Sequence, residues 1–426
     1  MLVANRGEIA VRIIKECKKM GIKTVAVCSD IERDALHMQI ADEGYCVGTA
    51  PIKDSYGSIE TIINASIITD SDSIHPGYGL LSENTEFVQL CEQHNILFAG
   101  PTSDILLRAS DKSTMKKIAC EQQIPVLTGY SISNINDALI YAHETGYPVM
   151  LKINNGGGGI GMKSVYNDDE LKKSFKVLQC GKNRELLIEK YLETVRHIEV
   201  QILADKYRNI LILGNRDCSI QLDNKKVLEE CPAQNLSPEL LKKLYADSLK
   251  LAQAINYIGI GTVEFLVDEA ENYYFMEMNA RIQVEYGISE MITGIDLIEW
   301  QIKIAAGEKI LFSQEDISFK GHAIECRINA QSCGNIVDWH LKDSDARFDH
   351  MLVAGMNVTP YYDSLLGKLI SYGQTRNEAI FKMRKYLKEL QITGIKTNIN
   401  EQKAIIDNDL FISSVYFTNF LKNEAL

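Results

Sequence analysis

Gly261-Thr262-Val263-Glu264-Phe265-Leu266-Val267, Asp268-Glu269-Ala270-Glu271-Asn272, Tyr273 to Met276, then Glu277-Met278-Asn279-Ala280-Arg281-Ile282-Gln283-Val284-Glu285: the fold turns on how this stretch is read. The first segment is rich in β-formers, the second is a polar turn cluster and the third is apolar, so 261–278 reads as a hairpin. A turn centred between Ala270 and Glu271 sets Glu264 opposite Glu277. Two carboxylates facing each other on one sheet face repel by about a few kcal/mol at intermediate dielectric. A hard divalent cation between them reverses the sign, and Mg²⁺ commonly takes one or two carboxylates plus substrate phosphates. A screened pair on a solvated face is the alternative. If the strand continues past Met278, alternation places Glu277, Asn279, Arg281, Gln283 and Glu285 on one face.

The rest of the chain sets bounds on this reading. Its 426 residues, 46% apolar and 24% charged, suit about two to four ordinary globular domains. A net charge of −12 and the lack of a basic stripe argue against a nucleic-acid partner. The same charge repels phosphates, so any phosphate site has to be locally basic. No apolar run is long enough to span a membrane, and the N-terminus lacks a signal pattern. Ten cysteines are scattered singly with no C-x-x-C, as expected of reduced thiols in a cytoplasmic protein.

From the N-terminus, strand 2–4, an amphipathic helix from Gly7 to Met20 and strand 23–28 begin an alternation. It continues as strand 44–47, helix 57–66, strand 73–75, helix 83–94 and strand 96–98. Such alternation builds right-handed βαβ units, so 1–99 reads as a doubly wound parallel α/β domain. The turn Asn5-Arg6-Gly7-Glu8 lacks the G-x-G-x-x-G pattern, which argues against a dinucleotide site. His75-Pro76-Gly77-Tyr78-Gly79 follows a strand, where open α/β sheets present ligand loops, or else is a plain glycine turn.

Residues 100–127 read as a linker with a helix from Asp111 to Gln122, capped by Ser110 and closed by Pro125. Lys112 sits in its first turn, the wrong end for a cation on helix-dipole grounds; it either points at an anion or, as most such lysines are, is simply solvated. Residues 128–194 read as a small α+β unit. In it, strand 149–153 runs into Gly156-Gly157-Gly158-Gly159-Ile160-Gly161-Met162, followed by strand 163–166. Glycines between two strands let backbone N–H groups approach phosphate as a nest, and Lys152 lies just upstream. A passive linker is the alternative. Leu186 to Leu192 has a hairpin-like pattern that offers Glu189 to a purine amino group.

Beyond 195, strands 197–203 and 210–214 pair around a turn at Asp205 to Asn209, followed by Arg216-Asp217-Cys218-Ser219 and the pairs Lys225-Lys226 and Glu229-Glu230. Helix 237–257, the metal hairpin and helix 295–306 come next. Residues 320–426 read as strand 321–329, an irregular stretch at 331–350, strand-rich 351–373 and two helices. The expected architecture of 195–426 is thus a mainly antiparallel sheet with helices.

Taken together these pieces resemble the biotin carboxylases, the ATP-grasp component of biotin-dependent carboxylases. The resemblance runs from Ala4-Asn5-Arg6-Gly7-Glu8-Ile9 through His75 to Gly79 and on to Thr359-Pro360-Tyr361-Tyr362-Asp363-Ser364. Its most specific part is Glu277 to Glu285, in order with Arg196-His197, Arg216 to Ser219 and Glu325-Cys326-Arg327-Ile328-Asn329. The resemblance implies an ATP-grasp fold with a glycine-loop lid (128–194) and a C-terminal antiparallel-sheet domain.

It implies ATP contacts at Lys112, Lys152, Gly156, Gly157, Gly158, Gly159, Gly161, Met162, Glu189, Leu192, His197, Gln221 and Leu266. Mg²⁺ or Mn²⁺ would sit at Glu264, Glu277 and Asn279, and bicarbonate at Lys226, Arg281, Gln283 and Val284. Glu285 would be the general base, with Arg281, Lys226 and Arg327 completing the catalytic set. Tyr78, Arg327 and Asp363 would face biotin. A biotin carrier protein and a carboxyltransferase are implied partners in trans, since no Ala-Met-Lys-Met motif is present, and a homodimer is implied.

The departures are local. Leu222-Asp223-Asn224-Lys225 stands where the family has two arginines, a histidine and a glutamine. Ile160 replaces a lid arginine, and Tyr286-Gly287 replaces a His-Pro. Gln331 to Thr359 is shorter than the family's segment, and Lys15 and Lys19 replace an opposite-charge pair at the family's dimer contact. These changes leave two rivals open: a carboxylase serving another nitrogen acceptor, and a non-catalytic ATP-binding subunit.

Overall fold

The alternation at the start of the chain folds into one parallel sheet. Its strands are β1 (Leu2–Val3), β2 (Val25–Ser29), β3 (Glu43–Gly48), β4 (Ser73–His75) and β5 (Leu97–Phe98), in the order β3-β2-β1-β4-β5. The order reverses at β1, which gives the doubly wound arrangement. This computed structural model describes residues 1–153, 161–179, 186–342 and 345–424. Helix Gly7–Lys19 buries Ile9, Ile13 and Cys17, as their spacing predicts.

The segment after β5 holds two helices rather than one. Ser103–Ser110 precedes Lys112–Glu121, and the cap of the second is Asp111, not Ser110. Asp111 Oδ1 accepts from the N–H groups of Ser113 and Thr114 at 2.9 and 3.1 Å, whereas the Ser110 hydroxyl turns back onto Leu106 O. A carboxylate there also favours the helix dipole.

A second sheet joins β6 (Gly129–Ile132), β7 (Val149–Ile153), β8 (Met162–Val165) and β9 (Leu186–Lys190) in the order β6-β9-β7-β8. Leu186 to Leu192 is therefore not a hairpin. Leu186, Leu187 and Ile188 are all buried, as expected for a strand with neighbours on both edges.

The largest sheet is antiparallel. It combines β10 (Val195–Ala204), β11 (Ile210–Leu222), β12 (Lys225–Cys231), β13 (Gly259–Asp268), β14 (Tyr273–Asn279) and β15 (His322–Asn329). Two more C-terminal strands, β18 (Arg347–His350) and β20 (Leu365–Gly373), complete the order β14-β13-β10-β11-β12-β15-β20-β18. The stretch 331–350 is not irregular: it contains β16 (Gly334–Asn335), β17 (Asp338–His340) and β18 (Arg347–His350). Beyond it lie β19 (Asn357–Val358), β20 (Leu365–Gly373) and β21 (Gln391–Thr393). The short strands pair with partners far along the chain, β16 with β19 and β17 with β21, so local pattern could not reveal them. The two expected C-terminal helices, Arg376–Glu389 and Ile399–Asp407, are followed by two one-turn helices.

Helix Pro238–Ala254 packs Leu240, Leu244 and Leu251 onto the sheet, each worth about 1.5–3 kcal/mol of burial. One core cluster joins Leu2, Val27 and Ile74 of the parallel sheet to Ile198, Val200 and Phe265 of the antiparallel one. A second joins Ile9 and Ile13 to Leu203, Ile282 and Tyr286. The N-terminal sheet is thus fastened directly behind the strands that carry the site.

Candidate active site

The hairpin forms, and Glu264 pairs with Glu277. The register is less regular than a symmetric turn implies. Phe265 pairs with Phe275, so Met276 is an extra residue and the ladder shifts by one between Glu264 and Phe265. On the other edge of β13, Glu199 lies opposite Glu264, and Arg216 of β11 lies opposite Glu199. A single cross-strand row therefore runs Arg216, Glu199, Glu264, Glu277. The first three are almost fully buried.

Three adjacent carboxylates would repel strongly without cations. Arg216, fully buried, donates to Glu199 at 3.0 and 3.1 Å, to Gln201 at 2.6 Å and to Gln283 at 2.5 Å. Lys226 Nζ donates to Glu199, to Glu285 at 2.7 Å and to Glu264 at 3.2 Å. His197 Nε2 is 2.9 Å from Glu264, and its Nδ1 is 2.7 Å from Gln221. Burial alone would raise the Glu264 carboxyl. Lys226 and His197 outweigh it and hold that group at about 2. The same contest, won by Lys112, holds Glu277 at about 2.

The polar strand pattern stops at Asn279. Strand β14 ends there, and the chain bends so that Ile282 and Tyr286 enter the core beneath helix Gly7–Lys19. An unexpected helix, Tyr286–Thr293, follows, and Glu285 is the residue just before it. Glu277 to Glu285 do not share a strand face. Even so, the bend returns the side chains to one network. Gln283 Nε2 donates to Glu264 at 2.5 Å, and Asn279 Nδ2 donates to the same oxygen at 2.8 Å. Arg281 donates to Asn279 Oδ1 and to Glu83, both at 2.9 Å.

Glu285 lies between two cations, Lys226 at 2.7 Å and Arg327 at 3.0 Å. Burial would raise its carboxyl; Lys226 and Arg327 outweigh burial and the nearby Glu199, so it is lowered and ionised at neutral pH. Arg327 also donates to Glu229 at 2.6 Å. Burial pushes Glu229 up to about 7, against the pull of Arg327.

On the opposite side, Lys112 pairs with Glu277 at 2.8 Å and Lys152 with Glu189 at 2.7 Å, while Lys116 also reaches Glu189. Lys112 and Lys116 are one turn apart, hence on one helix face. Met162 pairs with Lys152 across the lid hairpin, which Gly161 closes by accepting the Ile153 N–H. Leu192 follows β9, and Leu266 lies opposite His197. Gly156, Gly157, Gly158, Gly159 and Ile160 lie outside the described residues.

Oxygen donors at Glu264, Glu277 and Asn279 suit a hard cation, and ammonium groups of Lys112 and Lys226 now balance the charge such an ion would balance. These residues fit Mg²⁺ or Mn²⁺. His197, Glu199 and Glu264 also cluster within ligand distance, but both His197 ring nitrogens already have partners.

Of the residues expected to face an acceptor, Tyr78 donates to Glu8 and Arg327 joins the Glu285 network. Asp363 does not join it: it is exposed and accepts the Leu365 N–H at 2.9 Å. The altered loop at 222–225 is a two-residue hairpin. Leu222 pairs with Lys225, and Asp223 and Asn224 have φ of 49° and 62°, the left-handed pair a type I′ turn requires.

Sequence reasoning assigned no role to Glu199, Arg216, Glu83, Glu229 or Lys116. One signal was readable: His197, Glu199 and Gln201 alternate along a strand, which puts a carboxylate beside a histidine on the face bearing Glu264. The others meet the site from sequence-distant strands and loops.

Parallel sheet, lid sheet and a cation-balanced carboxylate row define a nucleotide-dependent ligase class, and comparison with known proteins agrees. Residues 111–312 match the family described as carbamoyl-phosphate synthase L chain, ATP binding domain. Residues 1–106 and 325–423 match the biotin carboxylase N-terminal and C-terminal domains. Biotin carboxylase 1 of Bacillus subtilis is 43% identical over 99% of this chain and 98% of its own length. The 2-oxoglutarate carboxylase small subunit of Hydrogenobacter thermophilus is 41% identical over 99% and 93%.

Among solved structures, the biotin carboxylase domain dimer of that Hydrogenobacter enzyme, in complex with MgADP, ADP and bicarbonate, superposes with a TM-score of 0.96. It is 41% identical and covers 100% of this chain and 97% of its own. Biotin carboxylase of Campylobacter jejuni gives a TM-score of 0.95 at 41% identity, covering 99% and 98%. The chain belongs to the biotin carboxylase family.

Proposed function

We propose that this protein uses ATP and bicarbonate to carboxylate biotin borne on a separate carrier protein, releasing ADP and phosphate. The observation that carries this reading is Glu285, an ionised buried carboxylate held between Lys226 and Arg327 next to the Glu264–Glu277 pair.

In this reading Lys112, Lys152 and His197 receive the ATP phosphates. Glu189, Leu192, Gln221, Met162 and Leu266 border the nucleotide. Glu264, Glu277 and Asn279 hold Mg²⁺ or Mn²⁺, which when bound neutralises phosphate charge. Arg281, Gln283, Val284 and Lys226 bind bicarbonate, a planar oxyanion that a guanidinium fork and a point charge both suit.

Glu285 removes the bicarbonate proton as its oxygen attacks the γ-phosphorus, giving carboxyphosphate and ADP. Lys226 is the largest stabiliser of ionised Glu285, so drawing Lys226 toward bicarbonate raises the basicity of Glu285 when it is needed. Carboxyphosphate decays to CO₂ and a fully deprotonated phosphate. That phosphate takes up a proton through Glu285 as the biotin ureido nitrogen loses its own, and Arg327 stabilises the ureido enolate that attacks CO₂. Tyr78 lies on that side, linked to the site through Glu8.

The division into four units (1–99, 100–127, 128–194 and 195–426) is supported by the three largest of the five sheets among the described residues, one each in 1–99, 128–194 and 195–426. A homodimer draws support from the Hydrogenobacter domain dimer. Free thiols at all described cysteines support a cytoplasmic setting, and no described helix is long and apolar enough to cross a membrane.

Replacing Glu285 by Gln tests the reading. Bicarbonate-dependent ATP cleavage is expected to vanish while Mg·ATP affinity is retained; a large loss of ATP affinity would contradict the assignment. Acceleration by free biotin is expected in the parent protein, and bicarbonate dependence without it would point to another acceptor.

A further inference from the structure

The Asn5-Arg6-Gly7-Glu8 turn has no role in the chemistry above, yet it is tied closely to the site. Asn5 Nδ2 donates to Pro76 O at 2.6 Å and Tyr78 O at 2.8 Å, which fixes the loop after β4. Glu8 is buried, accepts from the Tyr78 hydroxyl, and lies 3.4 Å from Lys368 Nζ. Burial raises the Glu8 carboxyl and Lys368 works against that shift.

Lys368 is the more unusual residue. It is fully buried on β20, directly opposite Arg327 on β15. Its Nζ donates to Val284 O at 2.7 Å and stands 4.1 Å from the centroid of the Tyr286 ring. Val284 O belongs to the peptide unit whose N–H is that of Glu285. One ammonium therefore holds the residues on both sides of Glu285: a carbonyl before it by a charged hydrogen bond, and a ring after it by a cation–π contact. Tyr286 is the residue that replaces the usual histidine there, and its hydroxyl has no hydrogen-bond partner among the described residues, so the contact to Lys368 is made by the ring face.

Such a cation costs free energy to bury unless its partners hold it. A cation serving only to join β20 to helix Gly7–Lys19 would need Glu8 alone. Contacts to Val284 and Tyr286 direct it to the bend after β14, where the chain leaves regular secondary structure and the Glu285 carbonyl accepts only a long backbone bond, 3.4 Å, from the Ile288 N–H.

We propose that Lys368, seated by Glu8 and the Tyr286 ring, is the positioning residue that fixes the Glu285 backbone for bicarbonate deprotonation. The inference rests on the reading of Glu285 as the base. It explains why the Asn5–Glu8 turn abuts a site with which it shares no chemistry: through Glu8 it sets the lysine.

Lys368→Met keeps the side-chain length and removes the donor. Its kcat for bicarbonate-dependent ATP cleavage is expected to fall on the order of 10²-fold with a raised KM for bicarbonate, while KM for ATP is unchanged. In a Glu285→Gln background, where turnover is already absent, the same substitution is expected to leave Mg·ATP affinity unchanged. A lysine with a purely structural role would instead lower ATP binding in both backgrounds.

If Lys368→Met fails to fold, Tyr286→Leu keeps the Lys368–Glu8 pair, removes the ring seat and is expected to lower kcat with KM for ATP unchanged. A folded Lys368→Met with wild-type kcat and bicarbonate KM overturns the proposal. A Glu285→Gln protein that retains turnover overturns the base assignment itself, whatever Lys368 does.

Discussion

Arg216→Met is the substitution whose cost the structure specifies most fully. Arg216 is completely buried and donates to Glu199, Gln201, Thr262, Gln283 and Ser289 at 2.5 to 3.1 Å. Methionine fills much of the volume but leaves Glu199, among the described residues, with Lys226 and, at 3.4 Å, His197 as its remaining cationic partners. Breaking one side of a buried ion pair costs about 3–5 kcal/mol. For a unit of this size about 2–4 °C are lost per kcal/mol, so the melting transition should fall by about 6–20 °C.

Differential scanning calorimetry reads this shift directly. Adding Glu199→Gln to the same chain removes the stranded charge and should recover part of the loss. A shift under about 2 °C, or a double variant as unstable as the sum of the singles, would refute the idea that Arg216 neutralises the carboxylate row.

Glu230 gives a pH-dependent test away from the site. Burial would raise it, but His322 and Arg376, each at 2.7 Å, pull it from 4.5 to about 2. A depressed carboxyl stabilises the fold above its unfolded value and loses that contribution as pH falls from 4.5 toward 2. Glu230→Gln should therefore lower stability at neutral pH and flatten the acid-unfolding curve in that window; an unchanged curve would contradict it. Lys112→Met should weaken Mg·ATP binding about 10- to 100-fold by calorimetric titration, since a charged donor to phosphate is lost. Glu277→Gln should raise the Mg²⁺ concentration giving half-maximal ATP cleavage, and an unaltered Mg²⁺ titration would remove Glu277 from the metal site.

How much of this was legible beforehand varies with the range of the interactions. The five strands and the three longest helices of residues 1–98 follow from local periodicity, the short helix Leu36–Ile40 does not, and the Glu264–Glu277 pairing follows from counting back from one turn. The bulge at Met276 did not, because nothing in a short hairpin signals which residue is left unpaired. The end of β14 at Asn279 was equally hidden: Ile282 and Tyr286 leave the strand to join a core supplied by a helix at the start of the chain.

The strands in 331–350 were missed because their partners lie at 357–358, 365–373 and 391–393, beyond any local pattern. At the site, family likeness supplied Lys226, Arg327 and Glu285, and the structure joins all three. Glu199 and Arg216 complete the charge balance, and only the sheet register reveals that they stand in one row with Glu264 and Glu277.

In the proposed reaction a bicarbonate oxygen, activated by Glu285, attacks the γ-phosphorus of ATP. Running the reaction with ¹⁸O-labelled bicarbonate and analysing the released phosphate by mass spectrometry tests it directly. Phosphate carrying one bicarbonate-derived ¹⁸O is expected, with the transfer lost in Glu285→Gln. Unlabelled phosphate released at the full rate would mean that water is the nucleophile, and would contradict it.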